Sequence, residues 1–517
     1  MTHTSGLTAL EPLTREEILD LAAKLPEVHH YPTVDELHAS FAELAAQHPE
    51  QLSVTPLGHS RAGEPILLYS IAGPEHDPDR EHETAGLSGL LAGGVHPNEP
   101  IGSWTLLHLV RQLLEDTQLH RALATSFHVI PCADPDSMRL NQGWFQAPAD
   151  RARYFENFYR PAGPEQVEWT FPFRYKAAHF DAMLPETRAL QRAIDLTRPD
   201  FYMPLHNAES GGAYYYLSDT LCAAPSTDAA PSSHAAPSSH LKPLHELLSE
   251  LPAALGIPLH RGEPEAAHFK VLSPGIFAMG TLEEAYDWVE ALGLDPFPEG
   301  STGESSTGYA RRHGTLSMVA EMPQWKHLLA DDVSPSGQDY AAALRSQATW
   351  LAAAGELLMA QLGRWDAHTE SAHAAPAPAP TEPALLRASR AFLPLLGQAA
   401  ESQRARSADP ACQREATVAE LHGLTGILHM LRLRFGGMFL RALREIAATG
   451  LDATEPSATA LAGELAAELA ELYADWLAEA ELQEADLVPI PIKDAAGMQY
   501  GAVLALAAHT LRRRQGE

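Results

Sequence analysis

The sequence predicts an α/β fold, a sheet covered by helices, followed by an almost wholly helical C-terminal region. Three observations carry this. Short apolar runs ending in Gly or Pro ("LSVTPLG", "PILLYSIAG", "LSGLLAGGV", "SFHVIPCADPD") fill the first part of the chain, with the amphipathic stretch "IGSWTLLHLVRQLLED" between the last two. Strands alternating with a helix of that length build a sheet with helices packed on it. Two later buried runs, "DFYMPLHN" and "TLSMVAEMP", add strands. Near the end, Leu461, Leu465, Leu469, Leu472 and Trp476 recur at helical spacing and form one apolar stripe.

The elements follow in order. "TREE" at Thr14–Glu17 and "TVDE" at Thr33–Glu36 fit capping boxes that open two helices. The strand runs come next. "GQDYAAALRSQATWLAAAGELLMAQLGRW" is a long helix placed to close the α/β domain, which is expected over residues 1–368. It is interrupted at about 220–240 by "AAPSTDAAPSSHAAPSSH", a Pro/Ser/Ala repeat whose composition cannot bury enough surface to offset its ordering entropy. Residues 369–384 read as an extended Pro/Ala linker, and 385–517 as the helical C-terminal region. The final "AAGMQYGAVLALAAHTL" is rich in small residues, which suits close helix packing.

Composition narrows the function. The 517 residues carry 36 basic and 67 acidic side chains, a net charge of −31, which argues against nucleic acid or an anionic membrane as partner. Three scattered cysteines make neither a disulfide framework nor a cysteine zinc site. No signal peptide and no membrane span are visible, so a cytoplasmic location is expected. The same charge balance disfavours a polyanionic substrate.

One stretch, "GGVHPNEPIG", points to a metal. Ligands in open α/β sheets bind at the carboxyl ends of strands, and here a strand ends in Gly93–Gly94. His96 then offers an imidazole nitrogen. Glu99, expected in the first turn of the next helix, offers carboxylate oxygens, with Pro100 at an early helix position. Two His and one Glu with an open fourth position is a hydrolase zinc set. The third ligand should come from another strand end, and His206 follows the run "DFYMPL". Glu321 ends "TLSMVAE". A carboxylate there needs either a role, such as general base, or a partner, such as Arg311 or Arg312.

Together these segments resemble the zinc carboxypeptidases of the M14 type, over roughly Tyr31 to Trp365. The opening "YPTVDELHASFAELAAQHPEQLSVTPLGHSRAGEPILLYSIAG", the "HPNE" zinc motif, "CADPDSMRLN", "LHN" and "VAEMP" carry the likeness. The resemblance implies a three-layer α/β/α domain with a mixed, mostly parallel sheet. It implies Zn2+ held by His96, Glu99 and His206, a zinc-activated water, Glu321 as general base, and removal of a C-terminal residue from peptides. The family reads the substrate carboxylate with an Arg pair, one in an Asn-Arg dipeptide that this chain lacks. Arg160 and Arg174 are the substitutes expected here, ahead of Arg139, and Tyr309 in "STGYARR" is the candidate proton-donating tyrosine. Two alternatives share the motifs: a zinc amidohydrolase of the aspartoacylase or succinylglutamate desuccinylase type acting on N-acyl amino acids, and a non-catalytic binding protein on the same fold.

Overall fold

Side chains alternate across the central strands, and this alternation builds two cores. On Leu87–Ala92, Leu91 faces one hydrophobic cluster while Leu90 and Ala92 face another. On Phe201–His206, Phe201, Met203 and Leu205 join the first cluster and Tyr202 the second. A sheet buried on both faces needs a helical layer on each side. The computed structural model describes residues 12–73, 86–218, 241–262, 269–298, 300–372, 382–450 and 456–516. The expected insertion at 220–240 and most of the expected linker lie outside these.

The sheet has nine strands: β1 (Leu52–His59), β2 (Pro65–Ile71), β3 (Leu87–Ala92), β4 (Thr125–Ile130), β5 (Phe201–His206), β6 (Tyr214–Leu217), β7 (Lys270–Ser273), β8 (Ile276–Ala278) and β9 (Leu316–Glu321). Their order is β1-β2-β4-β3-β5-β9-β6-β8-β7. The centre, β4-β3-β5-β9, is parallel. Antiparallel pairs lie outside it, so the sheet is mixed, as the fold class requires. All six strands read from apolar runs are present. The three short strands β6, β7 and β8 were not legible in that way.

The helices around and beyond the sheet include α1 (Arg15–Ala23), α2 (Val34–Gln47), α3 (Ile101–Glu115), α4 (Pro185–Thr197), α5 (Lys242–Ala254), α6 (Tyr340–Ala372), α7 (Ala384–Ser407), α8 (Val418–Thr449), α9 (Pro456–Gln483) and α10 (Ile492–Gln515). Both predicted capping boxes form, at Thr14 with Glu17 and Thr33 with Glu36. Helix α4 covers one face through Ala189, Leu190, Ala193 and Ile194. The other face is covered by α3 and by α10, which packs on α1, α3, α5 and β5.

The long helix α6 therefore does not close the domain. Its buried residues Leu344, Leu351, Leu358 and Trp365 turn toward the C-terminal helices, and it packs along α7 and α8. The closing role falls to the last helix. Gly497 and Gly501 make this possible: a Cβ on Gly497 would lie 2.3 Å from the Ala22 carbonyl oxygen, and one on Gly501 2.7 Å from Leu251 Cδ1. One hydrophobic core thus runs from α1 to α10 across the expected linker. Two short strand pairs stitch the parts further, Trp325–His327 with Leu487–Pro489 and Pro335–Asp339 with Glu415–Thr417. Among the described residues no helix is long and apolar enough to cross a membrane.

Candidate metal centre

The turn after β3 is fixed by its glycines. Gly93 N–H donates to the Ile130 carbonyl at 2.9 Å, and the Gly93 and Gly94 carbonyls accept from Ala133 and Asp134 at 2.9 and 3.1 Å. A Cβ at Gly93 would sit 2.8 Å from the Pro131 carbonyl oxygen. Gly94 has φ +60°, and a Cβ there would meet Met138 Cε at 2.7 Å. Only glycine suits both positions. The chain then turns tightly, with Glu99 N–H donating to the His96 carbonyl at 3.1 Å. Glu99 precedes the helix rather than lying in its first turn. Helix α3 begins at Ile101 with Pro100 as its N-cap, and the Ile101 N–H is taken by Asn207 Oδ1 at 3.3 Å.

The parallel register of β5 and β9 supplies the other two groups. His206 and Glu321 are the last residues of their strands and stand opposite each other. Equal register on adjacent strands places His206 Nδ1 3.6 Å from Glu321 Oε1. His96 Nδ1 lies 3.3 Å from Glu99 Oε1, and His206 Nδ1 lies 3.3 Å from Glu99 Oε2. His96, Glu99 and His206 each present a ligand atom within 4.8 Å of the others. All four residues are buried at the carboxyl ends of the central strands.

Behind the imidazoles stands a fifth group, Glu168. Its Oε2 lies 3.3 Å from His96 Nε2 and 3.0 Å from His206 Nε2, while its Oε1 accepts from the Ser306 hydroxyl at 2.9 Å. Burial and the Arg160 guanidinium push the His96 imidazole down to about 4, so it is neutral near pH 7. Burial opposes charge on His206, but Glu168, Glu99 and Glu321 outweigh it and hold this imidazole well above its ordinary range. Burial also opposes ionisation of Glu99, but His96 and Arg160 keep it well below the usual carboxylate range.

These residues fit a zinc ion. His96 Nδ1, His206 Nδ1 and the two Glu99 oxygens face one another at 3.3 Å in a buried cluster, and two imidazoles with one carboxylate are a zinc donor set. An imidazole that gives its Nδ1 lone pair to a metal carries its proton on Nε2, where Glu168 waits for both rings. A carboxylate behind the ligating histidine is the usual way a protein fixes tautomer and ring orientation.

Comparison with known proteins agrees. Residues 37–246 match the family model of the M14 peptidases, described as zinc carboxypeptidase. Over this segment the chain is similar to that family. The segment contains His96, Glu99 and His206, and it stops before Glu321. The chain is 30% identical over 139 residues to zinc carboxypeptidase A 1 of Anopheles gambiae, covering 25% of this chain and 30% of that protein. It is 30% identical over 122 residues to carboxypeptidase E of Caenorhabditis elegans, covering 22% of this chain and 25% of that one. It thus spans about a third or less of the length of either relative. Among solved structures, a metallo-carboxypeptidase from Burkholderia cenocepacia is 16% identical, with 57% of this chain and 60% of that chain covered and a TM-score of 0.32. Carboxypeptidase A from Helicoverpa armigera is 15% identical, with 60% and 70% covered and a TM-score of 0.35.

Around this centre, the structure separates the other expected residues. Arg160 reaches it. One guanidinium nitrogen donates to Glu99 Oε1 at 2.7 Å, the other lies 2.8 Å from His96 Nδ1, and Nε donates to Gln166 at 3.1 Å. Arg174 does not: it is exposed on a separate hairpin, opposite His179. Arg139 is paired with Asp35 and Glu64. Tyr309 is also elsewhere. It lies in the cluster beneath α4, and its hydroxyl bonds Asp195 Oδ2 at 3.0 Å and Gln191 Nε2 at 2.9 Å. The short helix Ser306–Ala310 packs on α4, and this draws the phenol to the sheet's other face. Of the two arginines considered as partners of Glu321, Arg311 donates to the Met279 carbonyl and Arg312 to the Tyr309 carbonyl.

Sequence reasoning missed Glu168, which sits in an irregular turn with no periodicity to mark it. It also missed the contribution of the C-terminal helices. Arg434 of α8 lies 2.7 Å from the fully buried carboxylate of Glu209 and donates to Tyr154 at 2.6 Å, beside the segment that follows His206.

Proposed function

We propose that this protein is a zinc-dependent metallocarboxypeptidase that hydrolyses the C-terminal amide bond of peptides. The observation that carries the reading is the convergence of His96, Glu99, His206 and Glu321 at the ends of three adjacent parallel strands, with Glu168 behind both imidazoles. Held by His96, Glu99 and His206, zinc would supply Lewis acidity, polarising a carbonyl and making water a better nucleophile at neutral pH. Glu321 is the general base: it takes a proton from the attacking water and passes it to the leaving amine. Its position beside His206, with its side chain 11% exposed, leaves an opening toward substrate. Glu168 holds the tautomers of His96 and His206. Arg160, whose guanidinium lies against Glu99 and His96, is the cation at the centre that could turn to a substrate carboxylate or a developing oxyanion once a metal takes those ligand atoms. Arg174, out on its hairpin, would meet only a longer peptide.

A second reading, hydrolysis of N-acyl amino acids, uses the same four residues. The burial of His96, Glu99 and His206, with side chains 4–5% exposed, favours a small substrate. Turnover of free-acid peptides, their C-terminal amides and N-acyl amino acids by the zinc-loaded protein decides between the two. Cleavage of free-acid peptides that is abolished by amidation supports the carboxypeptidase. Equal cleavage of acid and amide overturns it.

A further inference from the structure

We propose that Gln499, on the last helix of the chain, is a positioning residue for the metal ligands His206 and Glu99. The inference rests on the zinc reading above and adds a residue far outside the segment that matches the family.

The peptide unit between His206 and Asn207 is held from both sides. Its carbonyl oxygen accepts from Gln499 Nε2 at 2.5 Å. Its N–H donates to Glu99 Oε2 at 3.0 Å. In a trans peptide these two groups point in opposite directions. The plane is therefore clamped between α10 on one side and a metal ligand on the other. Fixing that plane fixes where the His206 imidazole leaves the backbone, and it also fixes which way the Glu99 carboxylate faces.

The clamp is built for one orientation. Thr105 Oγ1 on α3 donates to Gln499 Oε1 at 3.0 Å, so the amide nitrogen is the end left for the His206 carbonyl. Flipping the amide would set two acceptors against each other. Gln499 and Thr105 are both fully buried. An amide in such a place is costly unless bonded, and here both ends are satisfied by groups of the metal-centre scaffold. The approach depends on the small residues of α10 described above and on Gly102 of α3, where a Cβ would lie 2.7 Å from Leu205 Cβ.

The test compares the full-length parent with Gln499→Leu, which keeps the bulk and removes both hydrogen bonds, and with Leu504→Ala, a buried packing change on the same helix. Zinc affinity is measured by competition with a chelating dye, the visible spectrum of the cobalt-substituted protein reports ligand geometry, and thermal melting reports stability. Losing a group that orients a metal ligand typically weakens metal binding about ten- to a hundredfold. That loss, with an altered cobalt spectrum, is expected for Gln499→Leu. Leu504→Ala is expected to lower the melting temperature with zinc affinity within about twofold of the parent. If Gln499→Leu does not fold, Thr105→Val, which removes only the bond orienting the amide, is expected to weaken zinc in the same direction. Parent-like affinity and spectrum in a folded Gln499→Leu, or in Thr105→Val where that variant stands in for it, overturn the role of Gln499 alone. A parent that binds no zinc at His96 and His206 overturns the metal reading and this inference with it.

Discussion

Two polar groupings flank the same sheet, the Tyr309 one open to solvent at Asp195 and the strand-end one buried, and they differ in what they leave undone. The Tyr309 grouping is complete: its hydroxyl is met by Asp195 and Gln191, and Arg312 stacks on its ring at 3.4 Å. The strand-end grouping is not: His96 Nδ1, His206 Nδ1 and the two Glu99 oxygens crowd together at 3.3 Å in a buried site, a donor set that a metal ion would complete. The difference teaches that residue type alone did not separate the two groupings. Tyr309, in a catalytic-looking stretch, lies away from the strand ends, and Glu168, in an unremarked turn, stands behind the two imidazoles.

The comparison can be broken most forcefully at the ligands. The double substitution His96→Ala/His206→Ala is expected to reduce bound zinc from about one per chain to none, because a hydrolase site cannot hold the ion with one protein ligand. Metal analysis after gel filtration checks this, and full occupancy would rule the site out. Next comes Glu321→Gln, which keeps shape and removes basicity. Zinc content should stay at the parent level while turnover falls by at least about a hundredfold; unchanged turnover would move the base elsewhere. Glu168→Ala should retain some activity but weaken zinc about ten- to a hundredfold, read by chelator competition. Tyr309→Phe is the smallest change. It should leave turnover as in the parent and cost about 0.5–1.5 kcal/mol in denaturant unfolding, the net worth of a typical hydrogen bond. A large loss of turnover there would mean that the two groupings are not separate.

What was legible in the sequence follows the same division. The central strands could be read because burial on both sheet faces demands continuous hydrophobic residues, as on Phe201–His206, whereas the edge strand Leu52–His59 is buried only in part. Gly93 and Gly94 flagged the turn because their backbone and neighbours admit nothing larger. The short strands β6 to β8 gave no such signal: β7 is largely exposed, and β8 has three residues. The partners of α6 and α10 were hidden for another reason. An apolar helix face declares that it will be buried and not against what, so a stripe such as Leu344–Leu351–Leu358 fits a sheet and a helix equally. Glu168, Gln499 and Arg434 reach the centre only through tertiary packing from turns and helices remote in sequence, and no local pattern marks them.

The central claim is that His96, Glu99 and His206 hold one zinc ion through the imidazole Nδ1 atoms, with Glu168 behind both rings. Anomalous X-ray diffraction at the zinc edge from zinc-loaded crystals tests it directly. The account predicts one peak per chain on the Glu99 side of the two rings, bonded to both Nδ1 atoms and a Glu99 oxygen at about 2.0–2.2 Å. A peak on the Nε2 side between the rings and Glu168, or none at the strand ends, would contradict it.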